Sequence, residues 1–157
     1  LSLKIDTSIW EKLKENIPQK TNTKLEVGFF EDAVYGPENG NLPVATVAKW
    51  MNDGHDKDYP ARPFMTDGFK SEVRVNRRVQ RQLKESAKRI LEGTSTETEE
   101  LSQLGPQFKR MLRRIIIDWS EPPNSNKTIE EKGRNDPLVD TGHMRDSVDW
   151  KIYKKND

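Results

Sequence analysis

The residues best able to do chemistry in this chain are Asp140-Thr141-Gly142. Contributed by each of two chains, such a tripeptide is the half-site of a dimeric aspartic protease. Two facing carboxylates then share one proton, because like charges at close range cannot both ionise. Leu138 and Val139 before the aspartate suit that arrangement. The enzyme also needs a flap and a further apolar, strand-rich wall, whereas residues 143–157 carry a single strand pattern and most of the chain before the motif reads as helix. The plainer meaning is structural. Either Asp140 or Thr141 can accept a free backbone N–H of the next turn and so cap a short helix.

A second candidate is His55, with Asp53, Asp56 and Asp58 around it. Imidazole and carboxylates can hold a metal, but a solvated loop accounts for the same residues, and no metal is expected. No nucleophile–base pair or phosphate-cradling glycine loop stands out, and the chain has two histidines and no cysteine. The sequence therefore predicts no catalysis and no cofactor.

Charge offers a third kind of chemistry. Lys70, Arg74, Arg77, Arg78, Arg81, Lys84, Lys88 and Arg89 fall on the outer side of one predicted helix, and Lys109, Arg110, Arg113 and Arg114 on another. Each group reads as a solvated helix face, or as a surface for phosphates or an acidic partner.

The elements that must hold these residues follow from periodicity. Ser8 and Glu11 have capping-box spacing, and Ile9, Trp10, Leu13 and Ile17 share a face, predicting a helix that Pro18 stops. Residues 24–31 alternate, with Leu25, Val27 and Phe29 on one side, as a half-buried strand does. Gly36, Pro37, Asn39 and Gly40 mark a turn or excursion. Pro43 then opens a helix striped by Val44, Val47, Ala48 and Met51.

Pro60-Ala61-Arg62-Pro63-Phe64-Met65 reads as extended, since a residue before proline avoids the helical region. Phe64 would anchor in the core, and Arg62 is either a buried-interface arginine or, as spacing alone favours, a surface charge. A single helix is predicted over 66–92, capped by Thr66 or Asp67 and ended by Gly93; Phe69, Val73, Asn76, Gln80, Leu83, Ala87 and Ile90 trace its inner face. It would be about 40 Å long.

Thr96 and Glu99 cap a second long helix over 96–119, striped by Leu101, Leu104, Phe108, Met111, Leu112, Ile115, Ile116 and Trp119. Pro106 should kink or split it near Gly105. The two long helices are expected to pair antiparallel. Residues 120–136 are polar and read as a mobile or partner-ordered loop. Val148, Trp150 and Ile152 then alternate with polar residues and predict a closing strand near 147–154.

The 157 residues are enough for one domain. With 32% hydrophobic and 34% charged residues, and mean hydropathy −0.96, its core must be modest. A net charge of +1 decides nothing about nucleic acid. No apolar run reaches membrane-spanning length and the first residues lack a signal-peptide pattern, so a soluble chain made in the cytoplasm, with no membrane contact, is expected. The predicted architecture is α+β: a small, mainly antiparallel sheet with two long helices and shorter N-terminal helices.

Three segments in this order also resemble a known family. They are Leu25-Glu26-Val27-Gly28-Phe29-Phe30 followed by Val44–Gly54, then Pro60-Ala61-Arg62-Pro63-Phe64-Met65, then Pro137-Leu138-Val139-Asp140-Thr141-Gly142-His143-Met144-Arg145-Asp146-Ser147-Val148. Together they are similar to the tail-completion (neck, or virion-morphogenesis) proteins of long-tailed bacteriophages and prophages, over roughly residues 23–154. The resemblance implies a non-enzymatic virion protein at the head–tail junction, assembled in the host cytoplasm. It would form a ring of its own copies, expected to be six-fold, between head-completion or connector proteins and the tail terminator or tail tube, with DNA in the channel. On that reading Arg62, Pro63 and Phe64 brace the start of the long helix, and Asp140, Thr141 and Gly142 fix the final strand. Arg74, Arg77, Arg78, Arg81, Arg110, Arg113 and Arg114 would face DNA or neighbouring subunits.

Overall fold

A computed structural model of the chain describes residues 23–55 and 59–154. The helix expected between residues 6 and 17, and Asp56 and Asp58 near His55, lie outside the described residues. Among the described residues two strands and six α-helices follow in the order β1 (Thr23–Gly28), α1 (Val44–Asp53), α2 (Lys70–Val75), α3 (Arg77–Leu91), α4 (Glu97–Asp118), α5 (Asn126–Lys132), α6 (His143–Asp146) and β2 (Asp149–Lys154). The fold is α+β, as the patterning predicts.

The two strands pair antiparallel, with Leu25 opposite Ile152 and Val27 opposite Trp150. Alternation puts these four on one face, and that face lies on α4. The contact is close. A Cβ added at Gly105 would come within 3.0 Å of the Trp150 ring, so this glycine lets the strand approach the helix. Pro106 sits inside α4 without dividing it, contrary to the expected split. Packing along the hairpin outweighs the one hydrogen bond that proline removes. Thr96 and Glu99 do form the reciprocal cap: Glu99 N–H donates to Thr96 Oγ1 at 3.3 Å and Thr96 N–H to Glu99 Oε2 at 2.8 Å.

The predicted 66–92 helix is three pieces. A π-helical turn over Phe64–Phe69 leads into α2, and an extended Asn76 (φ −72°, ψ 103°) separates α2 from α3. Asn76 Oδ1 accepts the N–H groups of Arg78 and Val79 and restarts the helix, while Gln80 Nε2 bridges the break to Val73 O at 2.7 Å. The interruption shifts the helical phase. Val79 and Ser86 are buried on α3, and Ala87, predicted to point inward, is exposed.

Neither Thr66 nor Asp67 caps this region. Asn52 does so from α1: its Oδ1 accepts Met65 N–H at 3.0 Å and Thr66 N–H at 3.3 Å. An amide is suited to this, because its other end still donates, here to Asp53 and Thr66.

Residues 120–136 also depart from expectation, since they hold α5. Ser125 Oγ accepts Thr128 N–H at 3.2 Å, and Gly133 ends the helix in the left-handed region (φ 67°). Further bonds within the chain hold this segment. Lys132 Nζ donates to Asp136 O and Val139 O, and Asn124 N–H to Asn135 Oδ1.

The core joins Val44 and Ala48 of α1, Phe64, Leu112 and Ile116 of α4, and Leu138, Met144 and Val148. Phe29 meets the Phe64 ring edge-on, with centroids 6.4 Å apart.

Candidate functional site

Near their connection α3 and α4 are tied by Arg89 and Glu100. Further along they part, and a groove of about 860 Å³ opens between them over the π-helical turn. Arg78, Val79 and Gln82 form one wall, and Arg110, Met111 and Arg114 face them from α4. Gly68 lies in the floor beneath Trp119, where an added Cβ would sit 2.7 Å from the indole ring. The expected helix pair is therefore closed at the turn and open at the other end.

The groove sorts the predicted basic residues. Arg78, Arg110 and Arg114 line it, while Arg74, Arg77 and Arg81 are exposed on α2 and α3 outside its lining. Arg113 does not belong to this surface. Its Nη2 donates to Asp146 O at 2.6 Å and Val148 O at 3.5 Å, bracing the start of β2. Arg114 pairs with Asp118 at 3.2 Å. Among the described residues, the side chains of Arg74, Arg77, Arg78, Arg81 and Arg110 enter no ion pair or hydrogen bond. Some neighbouring charges are matched, as in Lys88–Glu92, Lys109–Asp149 and Lys127–Glu131, whereas Lys70, Lys84 and Glu85 enter no ion pair among the described residues.

Arg62 is a second organised feature, and it is not a surface charge. It is only 4% exposed, with Nε donating to Pro122 O at 2.9 Å and Nη2 to Pro123 O at 3.1 Å. Burial pulls its pKa below the ordinary guanidinium value. The planar fork reaches two successive carbonyls, whose dipoles offset the lost hydration. Arg62 thus ties the approach to α5 onto the segment that leads into Phe64.

The Asp140-Thr141-Gly142 tripeptide is a turn against the core. Asp140 is exposed, and its carbonyl oxygen accepts from Arg134 Nη2 at 2.7 Å. Contrary to expectation neither Asp140 nor Thr141 is the cap: Gly142 holds that position with no side-chain cap bond, and Thr141 Oγ1 only closes a local turn by accepting His143 N–H at 3.3 Å. Gly142, at φ 88°, precedes the single helical turn of α6. A side chain there would be strained and would meet Arg145 at 2.8 Å. His143 Nε2 lies 2.9 Å from Val34 O and fastens the 29–43 excursion to this turn.

His55 stacks on Trp50, with centroids 4.6 Å apart. The described residues hold no group of three or more His, Cys, Asp or Glu able to bind a metal. Among acids, the Arg89 guanidinium lowers Glu100 to about 2, Arg145 lowers Asp146, and Lys109 lowers Asp149.

Asn52 and Glu100 are the organising residues that sequence reasoning missed. Each is a polar residue at a position that periodicity assigns to a helix end, and its partner is 11 or more positions away. The chain matches no protein-family model, no curated protein and no solved structure.

Proposed function

We propose that this chain is a structural protein of a tailed phage, a tail-completion or neck component that joins the tail to the head connector. Its contacts are with copies of itself in a ring, expected to be a hexamer, and with the head-completion and tail-terminator or tail-tube proteins on either side. One observation carries the reading. The three segments that resemble the neck family meet in a single core, where Val27 and Phe29, Val44 and Ala48, Phe64, and Leu138, Met144 and Val148 pack together. Segments far apart in sequence that jointly build one core are what a family-wide pattern would encode. A ring needs two different faces on each subunit. The groove side of α4 and the hairpin side provide two chemically distinct ones. Immunogold labelling of purified particles tests the reading: label at the head–tail joint supports it, and label along the tail shaft or on no particle contradicts it.

A further inference from the structure

We infer that Arg74, Arg77, Arg78 and Arg81, with Arg110 across the groove, form a sequence-independent binding surface for the phosphate backbone of double-helical DNA. This inference stands on the side chains and does not depend on the neck reading. In a chain of net charge +1, these five arginines have no partner among the described residues, and Lys70 and Lys84 beside them are unpaired too, whereas Lys88 and Arg114 have carboxylate partners. Crowding unpaired cations on one face raises self-repulsion, which a polyanion relieves. Three of them, Arg77, Arg78 and Arg81, fall within about one and a half turns of α3. Arginine presents a planar fork that fits a phosphate through two bonds.

The occupant can be narrowed. Residues 70–91 contain no phenylalanine, tyrosine or tryptophan, so the arginine-bearing α2 and α3 offer no row of stacking platforms for a single strand, and the one tryptophan of the groove, Trp119, packs over Gly68. The outer positions of α3 are Arg77, Arg78, Arg81, Lys84, Glu85, Ala87 and Lys88, and the exposed Val75 before them is a single small aliphatic side chain, not the aromatic anchor on which protein interfaces depend. Glu72 and Glu85 are the carboxylates on these helices before Glu92, and Glu72 accepts from Asn76 Nδ2. What remains is the chemistry of backbone contact, in which affinity comes from counterion release and carries no base preference.

The test is fluorescence anisotropy of the full chain with a labelled 20-base-pair duplex, in two unrelated sequences, between 50 and 200 mM KCl. Up to five phosphate contacts predict a log–log salt slope of about −4 and a loss of roughly two orders of magnitude in affinity over that range. Both sequences should bind alike. R77E/R78E/R81E should abolish binding at 50 mM KCl while keeping the wild-type circular dichroism spectrum and melting temperature. K24E/K127E/K154E, with the same charge change elsewhere, should stay within about threefold of wild type by the same counterion argument. Absence of binding at 50 mM, binding indifferent to the arginine changes, or tighter binding of a single strand than of the duplex would each overturn the inference. So would a triple variant that loses only self-association, which would assign the stripe to an acidic protein neighbour.

Discussion

Arg89 grips Glu100 through two bonds, Nε to Oε1 at 2.7 Å and Nη2 to Oε2 at 2.6 Å, where α3 folds back onto α4. Glu100 is only 2% exposed, while Arg89 keeps part of its guanidinium in water. The pair closes one end of the helix pair and leaves the groove at the other end.

Glu100→Gln should cost about 2 kcal/mol at neutral pH, the range for a hydrogen-bonded charged group. The carboxyl titrates near 2 in the fold against 4.5 ordinarily, so its stabilisation is complete above about pH 5 and disappears as pH falls toward 2. Thermal melts of wild type and variant should therefore differ above pH 5 and converge in acid. A difference that persists at pH 2 would assign it to packing instead.

Asn52→Ala should lose about 1 to 2 kcal/mol, because Met65 and Thr66 are left with free N–H groups at the start of the π-helical turn. Urea unfolding reads this directly. Thr66→Ala should cost far less, since its hydroxyl sits 3.4 Å from Asn52 Nδ2, at the margin of a bond.

Gly105→Ala provides a test of sign. In a free helix the change would stabilise by up to about 1 kcal/mol. Here the methyl would press on the Trp150 ring, and overpacking of this kind costs about 1 to 3 kcal/mol. Destabilisation is expected, partly relieved in Gly105→Ala/Trp150→Leu. A stabilised single variant would mean that α4 and β2 are not in close contact.

Arg62→Lys keeps the charge and loses the fork that spans Pro122 O and Pro123 O. Trypsin should then cut the 120–136 segment at Lys127 and Lys132 faster than in wild type, at unchanged pH. Equal cleavage would show that Arg62 does not hold that segment.

The sequence is legible where burial repeats with a regular period. Leu25 and Val27 against Trp150 and Ile152, the stripe through Leu104, Leu112 and Ile116, and the Thr96–Glu99 cap are all found as patterned. It is misleading where one polar side chain acts alone. Asn76 breaks a helix whose apolar spacing continues through it, and Asn52 caps N–H groups 13 and 14 residues downstream. Helix α5 was hidden because its seven residues include one large apolar side chain, Ile129, although the Ser125 and Gly133 caps were visible. Arg62 and Arg113 are adjacent in type to the free arginines and differ only in what surrounds them after folding. Spacing carries no such information.

The neck reading, under which a phage or prophage encodes the chain, is tested most directly by electron microscopy of its lysates with a stop codon at Lys12 of this chain. The neck reading predicts full heads and finished tails lying unjoined, restored to joined particles when the chain is supplied in trans. Joined, infectious particles made without it would contradict that reading.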